Sequence, residues 1–372
     1  MADREAGRGG SRGLRWSLAL LAAALLWLLA SVTPAPFTIE RPGPVVDALG
    51  GIVEGGGEAQ VLVISGAETF ETSGEINVLS VAIVGTPEAP VSWLQLGGAL
   101  LDPTRTIAPI ESIYPEGVTA EDRAAAGAAM MRSSQQQAVA AALHELGEPV
   151  DSRLRIVSVA SGGPSDGVLR EGDVLLAAGG GGEPISRMDE LRAALAETDP
   201  GASLPLAIER AGVEIAVEAV PAAAEAGATP VLGVTVAQEY DFPLDVEVNL
   251  GDIGGPSAGA MLALAVYDRL TPGGLTGGLR ISGTGTIDGE GRIGAIGGLQ
   301  QKLWGAARAG TDLFLVPVDN CADLPPRIPD GMAVAPVATL REAIDAVEAA
   351  AAGEAPEGLE RCRAGEFVRS AG

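Results

Sequence analysis

Gly251-Asp252-Ile253-Gly254-Gly255-Pro256-Ser257-Ala258-Gly259-Ala260 is the stretch on which the reading of this chain turns. Its glycines permit a tight turn and close backbone approach. Pro256 suits the first position of a helix, and the apolar run after it predicts a helix over 256–270. Ser257 then falls in the first turn, where backbone N–H groups lack intrahelical partners and can hold an oxyanion. Ser257 is thus a candidate nucleophile, with the backbone around Gly254, Gly255, Pro256 and Ala258 as its candidate oxyanion site. From this stretch alone, a serine that merely caps a helix of small residues reads equally well.

A second stretch narrows the choice. Ile296-Gly297-Gly298-Leu299-Gln300-Gln301-Lys302-Leu303-Trp304 predicts a helix starting near Gly298 and covering 299–309. Lys302 shares a stripe with Leu299, three residues back, and Ala306, four residues on, with Leu303 beside it. It is the single lysine among 24 basic residues. Arg replaces Lys everywhere else, and the position where Arg cannot serve is one that must lose its proton. Burial and the helix N-terminus both lower a lysine pKa. To act as a base near neutrality it must fall by about 3, a bias of roughly 4 kcal/mol. The competing reading is a lysine whose stem covers apolar surface while its head reaches water.

Outward from these segments the chain divides by composition. Residues 1–15 carry Arg4, Arg8, Arg12 and Arg15 and read as a cytoplasmic basic tail. An uncharged, Leu/Ala-rich run over 16–33 follows, at the short end for a transmembrane anchor; a cleaved signal peptide competes with this reading. Residues 34–146 read as an α/β N-terminal region with strands at 61–64 and 76–84 and a helix over 119–146. Residues 211–230 include a linker, and a final domain spans 224–352, with strands at 231–237, 244–249 and 313–317 and a last helix at 339–351. Residues 353–372 form a tail. The formal charge of −25 excludes nucleic acid as a partner, because no basic surface could neutralise phosphates. One His and two distant Cys make no metal site. His144 reads as a surface residue near a helix end. Cys321 and Cys362 are either free thiols or a single disulfide outside the cytoplasm.

The Ser257 and Lys302 segments together resemble the proteolytic domain of Lon-type proteases. The pentapeptide Gly255–Gly259 matches that family's GPSAG, and Lys302 follows Gly297-Gly298-Leu299 at the family interval. Thr284-Gly285, Val316-Pro317, Asn320 and Asp323-Leu324 also match. The resemblance implies Ser257 as nucleophile, Lys302 as general base and Thr284 as a polar partner near the lysine. Ile253-Gly254 stands where Lys-Asp is usual, and Thr286 where Glu is usual, so charge-based gating is not implied. Residues 147–223, with Gly162-Gly163-Pro164-Ser165-Asp166-Gly167 and Gly172-Asp173-Val174-Leu175-Leu176, resemble a bacterial PDZ domain. Such domains take an extended peptide as an added strand. Leu146-Gly147-Glu148-Pro149 is the candidate for its carboxylate-binding loop.

A P-loop requires Gly-Lys-Ser/Thr, whereas Lys302 is flanked by Gln301 and Leu303. The whole therefore resembles an ATP-independent, membrane-anchored PDZ–Lon-like protease of α+β class. Its expected partners are polypeptide substrates, a peptide ligand at the PDZ domain and the membrane through the N-terminal helix, with no ATP, no cofactor and no metal. The resemblance also implies a homo-oligomeric ring, and a cell-membrane location with PDZ and protease domains extracytoplasmic. The alternative is a catalytically inactive PDZ scaffold with a Lon-like fold.

Overall fold

The computed structural model describes residues 7–54, 57–223, 229–251, 253–325, 328–354 and 362. The first residues of the expected basic tail, the middle of the expected linker and nearly all of the tail after Gly353 lie outside the described residues. The fold is mixed α/β and divides into two compact units, Met1–Glu145 with Val246–Gly372, and Leu146–Asp245.

The first unit is built on a six-stranded sheet in the order Ala333–Val337, Leu313–Pro317, Arg280–Gly283, Glu75–Val84, Phe37–Asp47, Thr106–Pro109. The first four run parallel and the last three pair antiparallel. Leu313–Pro317 is buried at every position, as a parallel strand covered on both faces requires. Phe314 and Val316 pack with Leu299, Leu303 and Ala306 of the lysine helix, Leu299–Ala309. That helix is the crossover between the parallel neighbours Arg280–Gly283 and Leu313–Pro317. The serine helix, Gly259–Leu270, is buried from Gly259 to Val266, with Met261 against Gly283.

Two expectations about domain limits change. The region 34–146 is not a separate domain, because its strands Phe37–Asp47 and Glu75–Val84 hydrogen-bond into the sheet that carries Arg280–Gly283 and Leu313–Pro317. Its long helix, Ala120–Glu145, lies against the serine helix. The limit at 223/224 also moves: Val234–Asp241 pairs antiparallel with Asp151–Val159 along its length and belongs to the second unit. The second unit therefore interrupts the first in sequence.

The strand Phe37–Asp47 contains Pro42 and Pro44, residues that remove ladder donors and argue against a strand. The fold accommodates them with a register shift between Pro42 and Val45. Gly43 is required there, since a Cβ would stand 2.9 Å from the Ser80 backbone. Glu75–Val84 keeps this strand as a partner as far as Val84, but pairs with Arg280–Gly283 only as far as Val78. On that side Leu79–Val84 has no strand beside it among the described residues.

The second unit is an antiparallel sheet in the order Val213–Ala219, Leu204–Arg210, Val174–Ala178, Asp151–Val159, Val234–Asp241, with the helix Met188–Ala196 packed on it. Leu154, Ile156, Leu175, Leu206 and Ile208 form the centre of its core. Asp173 is buried and bound bidentately by Arg210 at 2.8 and 2.7 Å. Burial opposes ionisation of Asp173, but those bonds and the Arg170 N–H outweigh it and hold the carboxyl below the usual range.

Candidate active site

The Ser257 segment departs from a plain helix start. Pro256–Ala258 forms a turn of 3-10 helix and the α-helix begins only at Gly259. Gly255 precedes the turn at φ 91, a conformation that favours glycine. Ser257 is half-buried at the floor of a cleft of about 750 Å³.

Both peptide planes flanking Ser257 are pinned through their carbonyls. Buried Ser134 of the long helix donates its hydroxyl to Pro256 O at 3.0 Å. Thr284 Oγ1 and the Gly285 N–H each donate to Ser257 O, both at 3.0 Å. In a planar trans peptide the N–H points opposite to the C=O. Fixing these two oxygens therefore fixes the directions of the Ser257 and Ala258 N–H groups. Both residues line the cleft, as does Gly254. The oxyanion expectation at Gly255 and Pro256 is corrected on chemical grounds. The Gly255 N–H is bound to Gly127 O at 3.0 Å, and proline has no N–H to offer.

Lys302 reaches the same place from the other helix. Its Nζ lies 2.7 Å from Ser257 Oγ and 2.8 Å from Thr284 Oγ1. Only 3% of Lys302 is exposed. Burial pulls its pKa down from 10.5 to about 8. Thr284, also buried, receives from the lysine and passes its own hydrogen to Ser257 O. The arrangement places an amine able to shed its proton beside the Ser257 hydroxyl, with the Ser257 N–H on the same residue.

The sequence alone does not reveal what holds these groups. Gly127 and Ser134 sit in the helix expected over 119–146, to which the sequence assigned no role. Asn320, matched to a motif without a role, accepts the Ile296 N–H and donates to Ile296 O, both at 2.9 Å. It thereby holds the segment that leads into Gly297, Gly298 and the lysine helix. Cys321 and Cys362 are joined as a disulfide, one of the two states left open above. His144 is exposed, roughly 15 Å along the long helix from Ser134. The cleft wall opposite includes Leu79–Ile83 and Glu40. Burial raises the Glu40 pKa, with Arg123 opposing.

In the second unit a groove of about 710 Å³ runs between Met188, Leu191, Arg192 and Leu195 of its helix and the segment 229–236. The candidate loop Leu146–Pro149 lines none of it. The strand bordering the groove comes last in the unit, beyond the limit expected at 223.

Residues 239–349 match the Lon protease (S16) C-terminal proteolytic domain. Over 93 residues the chain is 36% identical to a Lon protease of Rhizobium meliloti (strain 1021), covering 24% of this chain and 11% of the relative. Lon protease 1 of Bacillus subtilis (strain 168) is 35% identical over 98 residues, 26% of this chain and 12% of the relative. The chain thus spans only about a tenth of the length of these curated relatives. Among solved structures, it is similar to the PDZ domain of an SdrC-like protein from Listeria monocytogenes, at 18% identity and TM-score 0.21, covering 22% of this chain and 85% of that one. A solution structure from Geobacillus thermodenitrificans stands at 24% identity and TM-score 0.20, covering 22% and 92%. The chain is Lon-like: residues 239–349, Ser257 and Lys302 among them, are similar to the proteolytic domain of the Lon (S16) proteases.

Proposed function

We propose that this protein is an ATP-independent serine endopeptidase of the cell envelope that works through a Ser257–Lys302 dyad. The observation that carries this reading is the 2.7 Å contact between Ser257 Oγ and a lysine amine buried enough to lose its proton near neutral pH. Neutral Nζ takes the Ser257 proton as Oγ attacks the scissile carbonyl. The tetrahedral oxygen is held by the Ser257 N–H, whose plane is already fixed by the Ser134 bond to Pro256 O. The Lys302 ammonium then protonates the departing amine, leaving an acyl-enzyme. Water, deprotonated by the regenerated neutral lysine, hydrolyses the ester and returns the proton to Ser257.

Thr284 orients the lysine and buttresses the nucleophile carbonyl at the same time. The edge of Leu79–Val84, lacking a neighbouring strand beside the dyad, accommodates the substrate as an extended segment. The groove of the second unit accepts a further peptide strand beside Val234–Asp241, in the manner of PDZ domains, and so captures substrate or regulates access. No nucleotide motif surrounds the sole lysine, so turnover proceeds without ATP hydrolysis by this chain.

The test is labelling of the full-length protein by a serine-reactive fluorophosphonate, with cleavage of casein in parallel. Ser257→Ala and Lys302→Arg are each expected to lose both. Cleavage that survives Lys302→Arg refutes the dyad. A wild-type protein that neither labels nor cleaves, yet binds peptide, is the inactive scaffold instead.

A further inference from the structure

Residues 89–101, Ala-Pro-Val-Ser-Trp-Leu-Gln-Leu-Gly-Gly-Ala-Leu-Leu, carry no charge, although acidic residues bound them at Glu88 and Asp102. Their fold is specific. Ser92 caps the short helix Trp93–Ala99, in a reciprocal box with Gln95. Leu96 and Ala99 turn inward against Ala35, Ile39 and Val91. The rest of the apolar set turns outward: Trp93 is 50% exposed, Leu94 38%, Leu100 77% and Leu101 87%. Single exposed apolar residues are ordinary, whereas a contiguous set on one short element marks a contact surface.

The position of this set identifies what it contacts. The helix Gly7–Val32 contains the stretch Arg15–Val32, long and apolar enough to cross a membrane and with none of it buried. Three residues beyond its end, the Ala35 N–H donates to Val91 O at 2.8 Å, and Pro34 bridges to Ser92. The Phe37 and Trp93 rings meet edge to face at 6.2 Å. Three extended residues reach at most about 10 Å. The uncharged element is therefore clamped at the point where the chain leaves the apolar helix. Tryptophan with leucine at that level is the composition of a membrane interface.

We propose that Trp93–Ala99 with Leu100 and Leu101 forms a foot that lies in the headgroup–acyl boundary of the bilayer crossed by Arg15–Val32. The inference rests on the anchor reading of that helix. The foot gives the unit a second membrane contact beside the span and so limits its swivel about the anchor.

Two single-tryptophan proteins test it, made from the full chain by Trp→Phe changes at the other three positions. One retains Trp27, within the span, and the other retains Trp93. Each is reconstituted into vesicles whose lipid is brominated on the acyl chain. Bromine quenching should lower the emission of both by about half or more, as for rings seated in the acyl boundary. Leu100→Asp with Leu101→Asp, two changes at exposed positions, should abolish quenching of Trp93 and leave that of Trp27. Quenching of Trp27 without Trp93 overturns the foot alone. Absence of quenching at Trp27 overturns the anchor and the foot with it. Shielding of Trp93 from an aqueous quencher without any quenching by lipid bromine assigns the surface to a second copy of the chain, which also overturns the proposal.

Discussion

The pH dependence of Ser257 acylation tests the reading most directly, because one number from the structure sets its shape. With the Lys302 pKa at about 8, about 9% of the amine is neutral at pH 7, half at pH 8 and about 91% at pH 9. The acylation rate, measured as kcat/KM on a fluorogenic peptide or as the second-order rate of fluorophosphonate labelling, should follow that fraction. It should rise about tenfold from pH 7 to pH 9, with unit slope below pH 8 and a plateau above it. The competing bases predict different curves. A lysine at its ordinary 10.5 would keep the rate climbing past pH 10. A histidine base would flatten it above about pH 7. Profiles should be taken at constant ionic strength, with unfolding monitored at each pH. A flat response between pH 6 and 9, or a plateau already complete at pH 7, refutes Lys302 as the base.

The same burial predicts a stability effect. In the unfolded chain Lys302 keeps its proton up to about 10.5, whereas in the folded chain it does so only to about 8. Between these values the unfolded state holds more protons, so stability rises with pH through that window, and the burial penalty is full below pH 8. The penalty is about 3 kcal/mol. The unfolding free energy of Lys302→Met should therefore exceed wild type by the most below pH 8, and the difference should shrink by about 3 kcal/mol by pH 10.5; a pH-independent difference in denaturant titrations contradicts the burial. Ser134→Ala removes a hydrogen bond to Pro256 O and frees the Ser257 N–H to tilt. It should lower kcat roughly tenfold with little change in KM or melting temperature, and an equal loss in both kinetic constants argues for mere structural damage. Asn320→Ala leaves the Ile296 N–H and C=O without their side-chain partner and should cost about 2 kcal/mol in chemical unfolding, with a slower dyad in the surviving folded protein; unchanged stability removes Asn320 as the clamp.

Much of the local structure was legible because its signals are local. The lysine helix was expected at 299–309 and is found there, since apolar spacing and the glycine before it are read within one segment. The serine helix begins three residues later than expected, because a close approach to the long helix converts its first turn to 3-10 geometry. The long strand Phe37–Asp47 was hidden by Pro42 and Pro44, which are tolerated only because a bulge and Gly43 let the chain pass Ser80. The last strand of the second unit resembled the start of the catalytic domain, because its partner lies some 80 residues earlier, as Val236 pairs with Ile156.

By itself the sequence determined the ingredients: a serine in a glycine-lined helix start, and a unique lysine on an apolar stripe. Composition and short-range periodicity are enough to state both. Only the tertiary structure decided that the lysine amine meets the serine hydroxyl, that Thr284 joins them, and that Ser134 and Gly127 settle which backbone N–H groups stay free. Those facts depend on groups far apart in the chain, 122 residues in the case of Ser134 and Pro256. Hydrogen-bond direction at such distances is set by how the sheet brings the segments together, and no local pattern encodes it.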